Sequence, residues 1–301
     1  MDGLLVVQDG ILRNHQNAFK VRFRLFSSLS KPVVALGIFL LIQDKLLNFH
    51  TTLENVGFTD AKKVTVRQLL DHASGLTDVV SKLYFEREYF FRTLCVRNGK
   101  TELVSPKRVF QYIASQGDQD TPRYNNFGYD LLGIVIERVT GVQASEFIRK
   151  RILVPLGMHH TGFQHECHAS ETTPLTFHNT PGIKEQQNAH CGNGFLSGSL
   201  YDAYRFLSAH LTLLTPSMKS QFRQMYFYDG DVMIHTGSGD FCPTHLWKTR
   251  YRPLSKSFVY SNGHTMIVAA TSQSSRSFLH TSVDVSFRKQ VYAMFGLSSP
   301  F

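Results

Sequence analysis

A chain of 301 residues can bury a large core, and an apolar fraction of 42% with a charged fraction of 18% describes a globular protein without repeats or low-complexity tracts. The formal charge of +9 comes from scattered basic residues, with no block, stripe or binding motif among them, so nucleic acid is excluded as a partner. The longest apolar run, residues 32–42, is too short to span a bilayer, so no membrane span is expected.

In chain order, Leu4–Gln8 and Ile11–Phe19 read as two strands joined at Asp9-Gly10, a favoured hairpin pair. No basic n-region precedes the first strand and its short apolar stretch ends at Asp9-Gly10, so a cytoplasmic protein is the expectation unless a leader or an N-terminal helix has been trimmed. Ser28-Leu29-Ser30-Lys31 follows, and the apolar run Pro32–Ile42 behind it reads as a buried helix. Residues 64–71 begin another helix, closed by a turn at Ser74-Gly75. Tyr129–Thr140 is amphipathic and stops at Gly141, Ala144–Leu153 stops before Pro155, and Ala203–Leu214 stops before Thr215-Pro216. Strands return at Asp231–Thr236, Ser257–Tyr260 and Thr265–Thr271, and Val285–Phe295 makes a final helix. This pattern predicts an α+β fold, with an antiparallel sheet built from both chain ends, flanked by helices, and an inserted mainly helical lobe. One domain covers 1–301, with an α/β lobe at about 1–45 and 220–301, a helical lobe at about 46–219, and a site in the cleft between them.

Three short motifs carry chemistry. Ser28 and Lys31 stand one helical turn apart, where a serine hydroxyl meets an amine that can take its proton once burial favours the neutral form. A helix N-terminus at that point also favours charge developing on an acyl oxygen. Tyr124-Asn125-Asn126 offers a phenol as proton relay and an amide able to hold a lysine and a substrate together. His235-Thr236-Gly237-Ser238, at the end of a predicted strand, lets a substrate backbone come close at Gly237 and offers the next N–H to an oxyanion.

With its motifs in the order S-x-x-K, Y-x-N, H-T-G, the sequence resembles the serine β-lactamase and penicillin-binding superfamily, in its class C β-lactamase, DD-peptidase and esterase branch. The connecting text agrees: Leu69-Leu70-Asp71-His72-Ala73-Ser74-Gly75-Leu76, then Tyr129-Asp130-Leu131-Leu132-Gly133 with Glu137 and Thr140-Gly141. Pro155-Leu156-Gly157-Met158 with Thr161, and Gly192-Asn193-Gly194-Phe195 with Ser197 and Asp202, complete it. The resemblance implies that Ser28 carries the acyl group, Lys31 takes or relays its proton, and Tyr124 serves the leaving group and the deacylating water. It also implies that Asn126 positions Lys31 and the substrate amide, and that the N–H groups of Ser28 and Ser238 form the oxyanion hole. His235 and Thr236 then face the substrate's carboxylate or its equivalent. No cofactor and no metal are implied, and the oligomeric state is left open.

His235 departs from the lysine more usual in β-lactamases and anchors a carboxylate less firmly at neutral pH. The expected function is a serine hydrolase acting through an acyl-enzyme on an ester, amide or peptide. A β-lactamase or D-alanyl-D-alanine carboxypeptidase is the alternative within the class, and a catalytically inactive scaffold is the alternative outside it. A second S-x-x-K at Ser286–Lys289 has nothing downstream to complete a site, and Tyr260-Ser261-Asn262-Gly263-His264-Thr265 mimics two motifs out of order. His159, His160, His165, Cys167 and His168 match no zinc spacing and read as a surface loop, while Cys95, Cys167, Cys191 and Cys242 read as isolated thiols. His72 and Ser74 read as a turn closing a helix.

Overall fold

Asp9 and Gly10 both lie in the left-handed region, at φ 50° and 75°, as a two-residue hairpin requires. They join β1 (Gly3–Gln8) to β2 (Ile11–Gln16). The computed structural model describes residues 3–16, 24–25, 27–57, 63–76, 96–97, 100–101, 124–163, 196–225, 227–240 and 252–275. β2 therefore ends at Gln16, with residues 17–19 of the expected strand outside the described residues, as are the expected helix Val285–Phe295, Ser286–Lys289 and all four cysteines.

The strands from the two ends of the chain share one sheet, and the fold is α+β as expected. Short strands follow in chain order, β3 (Arg24–Leu25), β4 (Val96–Arg97), β5 (Lys100–Thr101), β6 (Gly162–Phe163) and β7 (Leu196–Gly198), with β3-β7-β6 and β4-β5 forming two small sheets. The last four are β8 (Tyr228–Asp229), β9 (Val232–Asp240), β10 (Arg252–Ser261) and β11 (Thr265–Ser275). β1 pairs antiparallel with β11, and the six-stranded order is β2-β1-β11-β10-β9-β8. Alternation along β1 sends Leu5 and Val7 to the main core, while Leu4 and Val6 meet Tyr260, Ile267 and Ala269 in a second cluster. β9 is longer than the sequence suggests. Pairing with β10, Ser257 opposite Gly237 and Lys256 opposite Ser238, carries the strand through the glycines, so His235-Thr236-Gly237-Ser238 lies within it and not at its end. Asn262-Gly263 turns β10 into β11, with Gly263 at φ 88° and the Asn262 side chain accepting from the N–H of Thr265 at 2.7 Å, so the out-of-order motif is a hairpin turn.

The central helix α1 (Ser30–Gln43) is buried from Ser30 to Leu41, and its sequence is apolar all round because it has no solvent face. A short 3-10 turn, Ser27–Leu29, leads into it. Helix α2 (Val66–Leu70) opens with a capping box in which Thr65 and Gln68 satisfy each other's N–H groups. Helix α3 runs Asn126–Thr140, starting three residues before Tyr129 because the Asn125 side chain caps it, accepting from the N–H of Gly128 at 2.9 Å. Gly37 lets α1 and α3 approach: a Cβ there would lie 3.2 Å from Ile136 Cδ1.

The expected helix 144–153 is α4 (Ala144–Ile148) followed by a π-helical turn, Arg149–Leu153. The expected helix 203–214 is α5 (Leu200–Ala209), capped by Ser199, followed by a 3-10 turn, His210–Leu213. A further helix, α6 (Pro216–Arg223), was not expected; Pro216 starts it at a position where the missing N–H costs nothing. Two of the sequence motifs meet at Asp202, whose carboxylate accepts from the N–H of His160 (2.7 Å) and from Thr161 Oγ1 (2.9 Å). Burial pushes its pKa up, and those two hydrogen bonds oppose the rise.

His210 lies in the core between the rings of Phe206 and Phe222. Its Nδ1–H donates to the carbonyl of Phe206 and its Nε2 accepts from the hydroxyl of Tyr228, both at 2.7 Å, which fixes the neutral ring. Burial pushes the His210 pKa down to about 4. Because the unfolded chain then binds the proton more tightly, this site's full contribution is present above pH 6.5 and is lost as pH falls from 6.5 towards about 4. A shift of that size corresponds to roughly 3 kcal/mol. Thermal unfolding followed between pH 7.5 and 4 should show this loss, and His210→Gln should flatten it; an equal slope in the variant would assign the acid sensitivity elsewhere.

Candidate active site

Ser28 sits in the 3-10 turn ahead of α1, and Lys31 lies in the first turn of α1, so the i, i+3 spacing places both side chains on one side of that helix end. Ser28 is half-buried, whereas Lys31 is wholly buried. Its Nζ donates to Ser28 Oγ at 3.1 Å and to Asn126 Oδ1 at 2.8 Å, and lies 4.8 Å from the ring centre of Tyr124 and 5.8 Å from that of Tyr129. The Tyr124 hydroxyl donates to Ser28 Oγ at 2.7 Å. Tyr124 is 47% exposed, so this side of the serine faces solvent while the lysine side does not.

The third motif arrives from the sheet. His235 Nε2 lies 2.8 Å from the carbonyl oxygen of Ser28, and its ring meets Phe227 edge-on at 5.3 Å. A carbonyl oxygen can only accept, so the imidazole donates through Nε2. The backbone of Thr236, Gly237 and Ser238 continues along β9 beside it. The structure thus brings Ser28, Lys31, Tyr124, Asn126 and His235 together from the N-terminal end of α1, the start of α3 and β9.

Two residues matter more here than their sequence context suggested. Asn125, between the site residues Tyr124 and Asn126, donates its Nδ2 to the carbonyl of Leu76 at 2.6 Å while capping α3, and so fixes both neighbours. His72 does close the turn after α2, in the left-handed region at φ 57°. Its Nδ1 also accepts from the N–H of Asn125 at 3.0 Å, and its ring packs 4.7 Å from that of Tyr124. The H-x-S-G-L spelling of that turn was the available signal, but nothing in it names Asn125 as the partner. Among the described residues no group of histidine, cysteine and carboxylate side chains could hold a metal, and no helix is long and apolar enough to cross a membrane.

The α+β fold is that of the serine β-lactamase and penicillin-binding superfamily. The chain belongs to the beta-lactamase family, whose model matches residues 13–241. Penicillin-binding protein 4* of Bacillus subtilis (strain 168) is 31% identical over 137 residues, which is 45% of this chain and 29% of that protein, so the match spans well under half of the relative's length. Among solved structures, FmtA from Staphylococcus aureus superposes with a TM-score of 0.70 at 17% identity, covering 99% of this chain and 84% of that one. The D-amino acid amidase from Ochrobactrum anthropi SV3 gives 0.62 at 17% identity, covering 98% and 94%.

Proposed function

We propose that the protein is a serine hydrolase that forms an acyl-enzyme on Ser28 from an ester or amide substrate. The observation that carries this reading is that a buried amine and an exposed phenol both lie within hydrogen-bond distance of one serine oxygen, Lys31 at 3.1 Å and Tyr124 at 2.7 Å. The amine is buried and stands within reach of Ser28 Oγ, where it can accept the Ser28 proton. Asn126 holds that amine in place.

In this mechanism Ser28 Oγ bonds to the substrate carbonyl carbon as its proton passes to Lys31. The backbone N–H groups of Ser28 and Ser238 receive the developing oxyanion. The proton moves through Tyr124 to the departing alcohol or amine as the ester or amide bond breaks. In the second half Tyr124 takes a proton from water as it passes its own to Lys31, the hydroxide attacks the acyl carbon, and Lys31 returns the proton to Ser28 Oγ as its acyl bond breaks. In this reading Thr236 and His235 line the substrate side of a cleft between an α/β lobe and a helical lobe.

The similarity to a penicillin-binding protein favours a second reading, a β-lactamase or D-alanyl-D-alanine carboxypeptidase. Incubation with a fluorescent penicillin, nitrocefin and a short-chain nitrophenyl ester separates the readings. Ester turnover without nitrocefin turnover is the expected result. Nitrocefin turnover would shift the assignment to the second reading, and inertness towards all three would make the protein a scaffold.

A further inference from the structure

The site holds a contact that hydrolysis by Ser28, Lys31 and Tyr124 does not require. Ser28 lies in the 3-10 turn, one residue ahead of the N-cap Leu29, so its carbonyl precedes the hydrogen-bond ladder of α1. His235 donates to that carbonyl from β9, at 2.8 Å, across 207 residues of chain. Its ring is held for this task from two sides, by the strand pairing of His235 opposite Val259 and by the edge of buried Phe227.

We infer that His235 is a positioning residue that braces the nucleophile turn through Nε2–H···O=C of Ser28, and not chiefly a cationic anchor for a substrate carboxylate. The inference rests on the hydrolase reading above and adds a substrate class to it. An imidazole whose Nε2–H is spent on the backbone contributes to acylation whether or not the substrate carries a negative charge, so neutral esters and amides fall within the range of the site. A lysine on β9 could attract an anion from any direction, whereas the imidazole directs its Nε2–H at the Ser28 carbonyl.

The test compares His235→Ala and His235→Gln on two substrates, a neutral short-chain nitrophenyl ester and an ester of the same alcohol whose acyl chain ends in a carboxylate. The brace predicts that His235→Ala lowers kcat on both substrates by about tenfold or more with KM little changed, because a shift of the nucleophile costs rate before it costs binding. His235→Gln, whose side-chain amide can donate to the same carbonyl, recovers most of that loss. A wild-type kcat on the neutral ester in His235→Ala, with a raised KM on the carboxylate ester alone, overturns the brace in favour of the anchor. Long-range proton–nitrogen NMR of the histidine rings in Ser28→Ala protein, with His235 assigned by its disappearance in His235→Gln, reads the contact without any turnover. A proton resident on Nε2 and slow to exchange supports the brace, and an Nδ1–H tautomer overturns it even if the protein proves to hydrolyse nothing. Absence of turnover in the wild type would thus remove the hydrolase reading while the NMR result still decides the brace.

Discussion

Ser28→Ala is expected to lower turnover of any accepted ester or amide by on the order of 10⁴-fold or more, the scale on which removing a covalent nucleophile acts. The fold should be indifferent to the change. Ser28 lies in the 3-10 turn ahead of α1 and is half-buried, and the core beneath that turn is made by Leu29, Val33 and Leu36, which alanine at 28 leaves in place. The variant should therefore keep the thermal midpoint of the wild type within a degree or two, while the kinetics collapse. A variant that still hydrolyses the substrate at a tenth of the wild-type rate or faster would show that the serine is not the nucleophile.

Lys31→Met is the second large effect. Methionine is unbranched and apolar and can occupy the slot that the lysine stem fills, so the buried end of α1 stays packed. What disappears is the amine 3.1 Å from Ser28 Oγ and 2.8 Å from Asn126 Oδ1. General-base assistance is worth about 10²–10⁴-fold, so kcat/KM for acylation should fall by roughly 10³-fold. Methionine removes the cost of burying an amine but takes a donor from Asn126 Oδ1, so the thermal midpoint should change by only a few degrees. A rate within tenfold of wild type would reassign the proton transfer to Tyr124, and a collapse of the fold alongside the rate would make Lys31 a structural residue.

The parts of this site that the sequence discloses are those whose spacing is local. Ser28 and Lys31 meet because three residues make about one turn, and Tyr124 and Asn126 travel together because the cap Asn125 lies between them. What it conceals depends on distance or on the backbone. The contact between His235 Nε2 and the carbonyl of Ser28 joins residues 207 apart through the main chain, and no residue type announces such a partner.

Element boundaries followed the same logic. The sheet's membership was legible from β-branched runs at both chain ends, and the antiparallel pairing of β1 with β11 agrees with it. The start of α3 was set too late because Phe127 and Gly128 lack the helical apolar period, whereas the Asn125 cap decides the matter. Helix α6 was missed because proline after threonine reads as a stop, although the same proline suits a first helical position. The end of β9 was set too early because glycine has low strand propensity, which pairing to β10 overrides.

The most direct test of the central claim is to trap the acyl-enzyme and find its address. The protein is incubated with the substrate of the panel that reacts most readily, or with fluorescent penicillin, then quenched in acid and measured by intact mass and by peptide mapping. The account predicts one added acyl mass per chain, carried by the peptide that contains Ser28, Ser30 and Lys31 and localised by fragmentation to Ser28. An adduct on another residue, or turnover with no adduct at any quench time in the Tyr124→Phe variant, where deacylation should be slowest, would contradict it.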